Sequence, residues 1–309
     1  MGNKKKLLTG LMVLGAQAAV PSAMADSGGL STVVVTATRV EQSDFDLPVS
    51  IDRIGSNAIH DGQPEINASE SLVRSPGVVA HNRQNYAQDL QISVRGFGSR
   101  STFGVRGVRL YADGIPATMP DGQGQLSHFD LGSADHIEVL RGPFSALYGN
   151  SSGGVISLFT EDGKPGTALE GAVTLGSYNT RRSALKVSGA QDGINYVVSG
   201  GDLRTDGYRE HSAAKRDNFN GKLRFDLDAA SQLTLVANTV YVSADDPLGL
   251  SRAQYANDPR AADPVALTYD TRKTVRQQQA GLNYQRQVDD HNTFKAMVYR
   301  GHRDTTQFQ

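Results

Sequence analysis

The sequence predicts a small α+β domain followed by antiparallel transmembrane β-barrel strands. Three observations predict this. Between Asp89 and Ile156, short apolar alternations are each stopped by Gly or Pro, and two of them end on an Arg-Gly step, Arg95-Gly96 and Arg141-Gly142. After Lys164-Pro165-Gly166, long runs alternate apolar and polar residues, with connections that are short and long in turn. The composition fits both parts: 33 glycines, no Trp, no Cys and 38% hydrophobic residues suit turn-rich β-structure with polar faces better than a helical core.

Taken in order, the chain opens with a basic Lys4-Lys5-Lys6, an apolar stretch from Leu7 to Val20 and a small-x-small site at Ala23-Met24-Ala25. This is the pattern of a secretory signal peptide over residues 1–25. The apolar stretch is too short to span a bilayer and contains Gly10, Gly15 and Gln17. Residues 26–40 form a tether expected to be disordered. Within it, Ser31-Thr-Val-Val-Val-Thr-Ala-Thr-Arg39 is rich in β-branched residues and has no partner strand nearby. It reads either as the first strand of the next domain or as a segment that adds to another protein's sheet.

Residues 41–160 carry the compact α+β pattern. Leu47 to Ile54 is an expected strand. A helix begins near Asn67, capped by Asn67 or Ser69, with Leu72 and Val73 on one face and Pro76-Gly77 as the stop. Strands follow at Gln91–Arg95, Gly107–Tyr111 and Ile137–Leu140, with Asp113-Gly114 as a turn and a helical turn at Pro143–Tyr148. The loops 81–89 and 116–125 are long, which in a compact unit marks function or disorder.

Residues 166–309 carry about seven strands of barrel length. The clearest puts Phe219, Gly221, Leu223, Phe225 and Leu227 on one face and Asn220, Lys222, Arg224 and Asp226 on the other. A soluble sandwich would use shorter strands. Seven strands leave two open edges, which lipid does not tolerate, so the sequence is expected to be the N-terminal part of a longer protein.

Several function classes are excluded or unsupported. With 31 basic against 32 acidic residues, bulk electrostatics would not hold a nucleic acid. Without cysteine there is no thiolate metal site, disulfide or thiol catalysis. No phosphate loop, dinucleotide fingerprint or nucleophile elbow is present, so no catalytic residues, metal ligands or cofactor are assigned. The seven histidines are expected at the surface. The pairs Asp44/Asp46, Asp245/Asp246 and Asp289/Asp290 are expected in solvated turns.

The motifs resemble those of the TonB-dependent outer-membrane receptors. Thr32-Val33-Val34-Val35-Thr36-Ala37-Thr38-Arg39 is similar to a TonB box. Val94-Arg-Gly-Phe97, Ile137-Glu-Val-Leu-Arg-Gly-Pro-Phe-Ser-Ala-Leu-Tyr-Gly149 and Gly153-Gly-Val-Ile156 are similar to plug-domain signatures. The segments 82–90, 97–102 and 113–125 most resemble the pyrroloquinoline quinone receptor branch, whose relatives are often labelled ferric-citrate or siderophore receptors.

The resemblance implies a plug inside a barrel of about 22 strands, in the Gram-negative outer membrane and in contact with its lipid. It implies import of a small anionic ligand, quinone or ferric chelate, energised by TonB with its ExbB–ExbD complex. Arg95 and Arg141 would correspond to plug arginines that lock onto barrel glutamates, here expected beyond Gln309. Arg83, Asn85, Tyr86, Arg100 and Gln123 are the expected ligand contacts. The alternatives are a passive β-barrel pore or another barrel surface protein.

Overall fold

The computed structural model describes residues 34–35, 42–43, 49–82, 84–101, 104–149 and 151–309. The expected signal peptide, most of the tether and Arg83 lie outside them. Of the TonB-box segment only Val34 and Val35 are described. They form β1 (Val34–Val35), which pairs antiparallel with β2 (Gln42–Ser43). A short partner therefore lies nearby, where the sequence suggested none.

The next elements are β3 (Ser50–Gly55), α1 (Ser56–His60), α2 (Ser69–Leu72), β4 (Val78–His81), β5 (Gln91–Val94), β6 (Val108–Ala112) and β7 (Ile115–Pro116). A 3-10 turn at Leu131–Ser133 leads into β8 (Ala134–Arg141), α3 (Ser145–Tyr148) and β9 (Gly154–Thr160). Five strands make one sheet in the order β3-β8-β9-β6-β7, with β6 and β9 parallel, and β4 and β5 pair separately. The sheet is covered on both faces. Ile54, Ile59, Leu72, Ile92, Leu110, Ile137, Val139 and Ile156 pack in one cluster, and Tyr111, Leu140, Tyr148 and Val155 in another. This is why β9 reads as a nearly unbroken apolar run.

Helix α2 departs from expectation at its start. Ala68 is the N-cap, because Glu70 already accepts the Asn67 and Ile66 N–H groups and Asn67 Oδ1 accepts from Ser69 N–H at 3.2 Å. Leu72 is fully buried, but Val73 is 60% exposed.

The second sheet is a seven-strand antiparallel meander: β10 (Gly166–Leu175), β11 (Arg181–Gln191), β12 (Ile194–Thr205), β13 (Ala214–Asp228), β14 (Ser231–Asp245), β15 (Arg272–Gln287) and β16 (Thr293–Phe308). The expected alternation holds. Leu223 lies opposite Leu235 and Phe225 opposite Leu233 on the outer face, while Asn220 lies opposite Asn238 on the inner one. Strands β13 and β16 run longer than their apolar patterns suggest. Their extra ends are charged, because backbone pairing continues past the apolar band into a polar rim. There Arg204 meets Asp217 at 3.0 Å across β12 and β13.

Short connections at 192–193, 229–230 and 288–292 lie at one end of this wall, and the longer ones at 206–213 and 246–271 lie at the other. The longest contains α4 (Arg252–Asn257) and α5 (Pro264–Tyr269). Both helices carry start signals that the sequence reading passed over. Ser251 and Gln254 form a capping box, and Asp263 caps a helix with Pro264 in its first turn.

Gly154 fixes how closely β8 and β9 approach. It has φ of +131°, and a Cβ there would lie 2.0 Å from the Leu140 carbonyl oxygen. Gly154→Ala should therefore destabilise the first sheet by about 2–3 kcal/mol. Faster trypsin cleavage of the variant within this domain is the expected readout, and an unchanged cleavage rate contradicts the assignment.

Candidate functional site

The inner face of the wall carries polar side chains, and the first domain meets them residue by residue. Arg182 Nη2 bonds Glu65 Oε2 at 2.8 Å, and Lys186 Nζ meets Glu161 at 2.7 Å. Asp130, only 8% exposed, accepts from Ser199 Oγ at 2.5 Å and from Asn218 Nδ2 at 3.0 Å. Asn220 donates to Ser133 Oγ, Lys222 donates to the Thr160 carbonyl at 2.7 Å, and Lys222 and Arg224 both hold Asp162. Further along, Gln279 donates to Pro116 O and Asn283 to Asp113 O. In this sector the cations come from the wall and the carboxylates from the inserted domain.

Arg95 and Arg141 sit differently. Arg141 pairs with Asp52 at 2.9 Å and donates to Pro76 O at 2.6 Å, both within the first domain. Arg95 is exposed, with φ of +49°, and its N–H donates to Gly77 O at 2.8 Å. Among the described residues neither side chain pairs with the wall.

A cavity of about 530 Å³ opens between the domain and the wall near the long-loop end. Its wall side includes Arg216, Lys273 and Arg303. Lys273 is 5% exposed, and its Nζ lies 2.8 Å from Asp89. Arg216 donates to the carbonyls of Ile66 and Ser127, and Arg303 to Ser127 Oγ at 3.0 Å. Of the expected ligand contacts, Asn85 and Tyr86 line this cavity. Tyr86 packs on the cluster of Val240, Val242 and Val275, and burial, with Glu70 nearby, pushes its phenol up. Arg100 is exposed and Gln123 accepts from Arg106, and neither lines the cavity.

Sequence reasoning missed the three wall cations. Their parity places them on the inner face, but only the fold shows which inner cations look into a space. It also misjudged two acidic and histidine sites. Asp246 is not in a solvated turn: it is 2% exposed and accepts from Asn85 Nδ2 at 2.8 Å and Gln88 Nε2 at 2.5 Å. His128 is 4% exposed rather than at the surface. Burial, with Arg303 and Arg216 beside it, pushes its imidazole down to about 3.

An inserted α+β domain bonded to the inner face of a long-stranded meander defines a plug-and-barrel protein. Residues 43–155 match the family model described as the TonB-dependent Receptor Plug Domain, so this segment is a plug domain of the kind found in the TonB-dependent receptors. The chain is 32% identical over 188 residues to the pesticin receptor of Yersinia pestis, a match covering 58% of this chain and 26% of that receptor. It superposes on the ferric citrate transporter FecA in its unliganded form with a TM-score of 0.69 and 27% identity, over 85% of this chain and 41% of that one. The ferric yersiniabactin uptake receptor FyuA from Yersinia pestis shares the fold, with a TM-score of 0.66 and 21% identity over 84% of this chain and 41% of that one. The chain thus spans well under half the length of these relatives. They are receptors and transporters, in keeping with a non-enzymatic reading.

The seam between plug and wall titrates. His60 Nδ1 lies 2.7 Å from Glu65, and that bond raises the imidazole above its ordinary value. Burial raises Glu65, but His60 and Arg182 outweigh it and hold the carboxyl low. Burial likewise raises Asp162, and Lys222 and Arg224 outweigh it. The raised His60 stabilises the folded state fully below about pH 6.5 and loses that effect as pH rises through its folded value. The lowered carboxyls stabilise above about pH 4 and lose that effect as pH falls through theirs. Amide protection factors at the plug–wall seam, corrected for the pH dependence of intrinsic exchange, should therefore be highest between about pH 4.5 and 6.5. His60→Gln should remove the alkaline limb and also weaken the Glu65 part of the acid limb, whereas Asp162→Asn should weaken only the acid limb; profiles unaltered in both variants contradict this account.

Proposed function

We propose that this chain forms the plug and the first wall section of an outer-membrane receptor that captures a small anionic ligand and imports it. The observation that carries this reading is the cavity of about 530 Å³ into which the wall presents Arg216, Lys273 and Arg303. By the usual asymmetry of such barrels, the long-loop end faces outside and the short turns face the periplasm. The cavity is then the first space an external ligand meets above the plug. Three cations in a partly dehydrated space suit a polyanion, whether a ferric chelate or a tricarboxylate quinone, since charge-assisted bonds are the strong ones there. The resemblance to a ferric citrate transporter supports the chelate, and the plug-loop resemblance noted in the sequence supports the quinone.

In this reading residues 1–25 direct export and residues 26–40 form the tether. TonB, with ExbB and ExbD, engages Thr32–Arg39 by strand addition and draws on the proton-motive force. Arg95 and Arg141 complete the lock by pairing with wall glutamates outside these 309 residues. A plug held by many polar contacts can be displaced when pulled, because water replaces each bond as it breaks.

Titration of the full-length protein in detergent with ferric citrate and with pyrroloquinoline quinone identifies the ligand. Lys273→Ala and Arg216→Ala should each weaken binding about tenfold or more. Deleting residues 32–39 should leave binding intact and abolish uptake into cells. Uptake that survives the deletion contradicts energised transport, and binding that is indifferent to both cation variants moves the ligand elsewhere.

A further inference from the structure

Three segments at the long-loop end converge on a cluster that transport does not use. His211 lies in the connection between β12 and β13, Asp245 closes β14, and Asp270 follows α5. Each offers a ligand atom, and these atoms all lie within 4.8 Å of one another. The positions are far apart in sequence, so no spacing motif announces them.

The local geometry is specific. His211 Nε2 lies 2.9 Å from the Thr271 carbonyl oxygen and 3.8 Å from Asp270 Oδ1. Asp270 Oδ2 is taken by Arg272 Nη1 at 2.5 Å, which leaves Oδ1 turned toward the imidazole. Asp246 N–H donates to the same Thr271 carbonyl at 2.8 Å. These groups are mostly acceptors, and Arg272 reaches only one of the two carboxylates, so the cluster wants a shared electropositive partner. A proton on Nε2 meets that need for one contact only. A divalent cation meets it for all four, and bonds of about 2.1 Å put neighbouring ligands roughly 3 Å apart, the spacing of Nε2 and Thr271 O.

We infer that His211, Asp245, Asp270 and the Thr271 carbonyl form a binding site for a first-row divalent cation, with Zn²⁺ the best match to one imidazole and oxygen donors. The Asp270 side chain is 62% exposed and can close the remaining gap. The two carboxylates carry one more charge than Arg272 neutralises, which favours a cation over an empty cluster. Bound metal joins the 206–213 connection to both ends of the 246–271 connection. The latter begins at Asp246, which holds Asn85 and Gln88 of the plug. The site therefore stiffens the rim beside the cavity and is separate from any imported metal.

The test uses full-length protein in detergent, stripped with EDTA, dialysed and titrated with ZnCl₂ by calorimetry. Wild type should bind about one equivalent at this site. Asp245→Asn, which keeps size and shape, should weaken binding at least about tenfold, and His211→Ala should remove it. His291→Ala, an exposed histidine at the short-turn end, should leave binding unchanged. Amide exchange in residues 206–213 should slow on adding ZnCl₂ in wild type and not in Asp245→Asn. Failure of stripped wild type to take up Zn²⁺, or equal uptake by wild type and Asp245→Asn, overturns the proposal and leaves Nε2 carrying a proton. Neither result touches the ligand titration with Lys273→Ala, so this site and the transport reading fail independently.

Discussion

The polar seam between plug and wall is the constraint on which the rest of this structure depends. In the transport reading proposed above, a plug inside a barrel has to fill the lumen and yet be removable. An apolar seam would bury its contacts from water, and withdrawing the plug would expose that surface at a cost of about 25 cal/mol for each Å². The observed seam is built from Arg182–Glu65, Lys186–Glu161, Lys222–Asp162 and the bonds around Asp130. Each such contact contributes about 1 kcal/mol net, because water makes nearly equivalent bonds when they part. Many of them together define one position of the plug without fixing it permanently. The two main cores lie within the plug, and only a small apolar cluster, with Ala87 against Val240, Val242 and Val275, crosses the seam.

This division explains what the sequence disclosed. The wall was legible because one face must meet lipid and the other a polar lumen, so every strand alternates with period two. All seven strands were found, and the inner parity of Asn220, Lys222 and Arg224 was read correctly. The plug sheet was legible through Ile137–Leu140 and Gly153-Gly154, where burial on both faces and a close backbone approach leave few residue choices. What escaped is what depends on contact between distant segments. Asp246 looks like half of a solvated turn until Asn85 and Gln88 fold against it. Arg216, Lys273 and Arg303 are ordinary inner-face cations until the plug loop leaves a space in front of them. Arg141 carries the family motif, yet its visible partners are Asp52 and Pro76, a pairing that no local pattern encodes.

The outer loops form one connected platform rather than separate excursions. Arg209 donates to the carbonyls of Pro247, Leu248 and Ala261, spanning two connections with a single guanidinium. Arg260 lies over the rings of Tyr178 and Tyr208, at 5.5 and 5.8 Å, and so ties in the turn between β10 and β11. Arginine suits both tasks, because its planar fork serves several carbonyls and its face stacks on aromatic rings. A rim braced in this way holds Asp246, and through it the plug loop, in a defined place.

The polarity of the lock carries the final argument. In the transport reading proposed above, withdrawal of the plug frees Arg182, Lys186, Lys222 and Arg224 of their plug carboxylates. An anionic ligand moving inward would then meet the charges that the plug carboxylates had occupied. Lys273 shows the exchange in miniature: it is held by Asp89 at the cavity wall, and a ligand carboxylate could take the place of that aspartate. Displacing Asp89 would loosen the plug loop at the point where Asp246 anchors it to the rim. In that same transport reading, ligand capture and retention of the plug thus compete for the same cation, and coupling between capture and release needs no element beyond those already in contact.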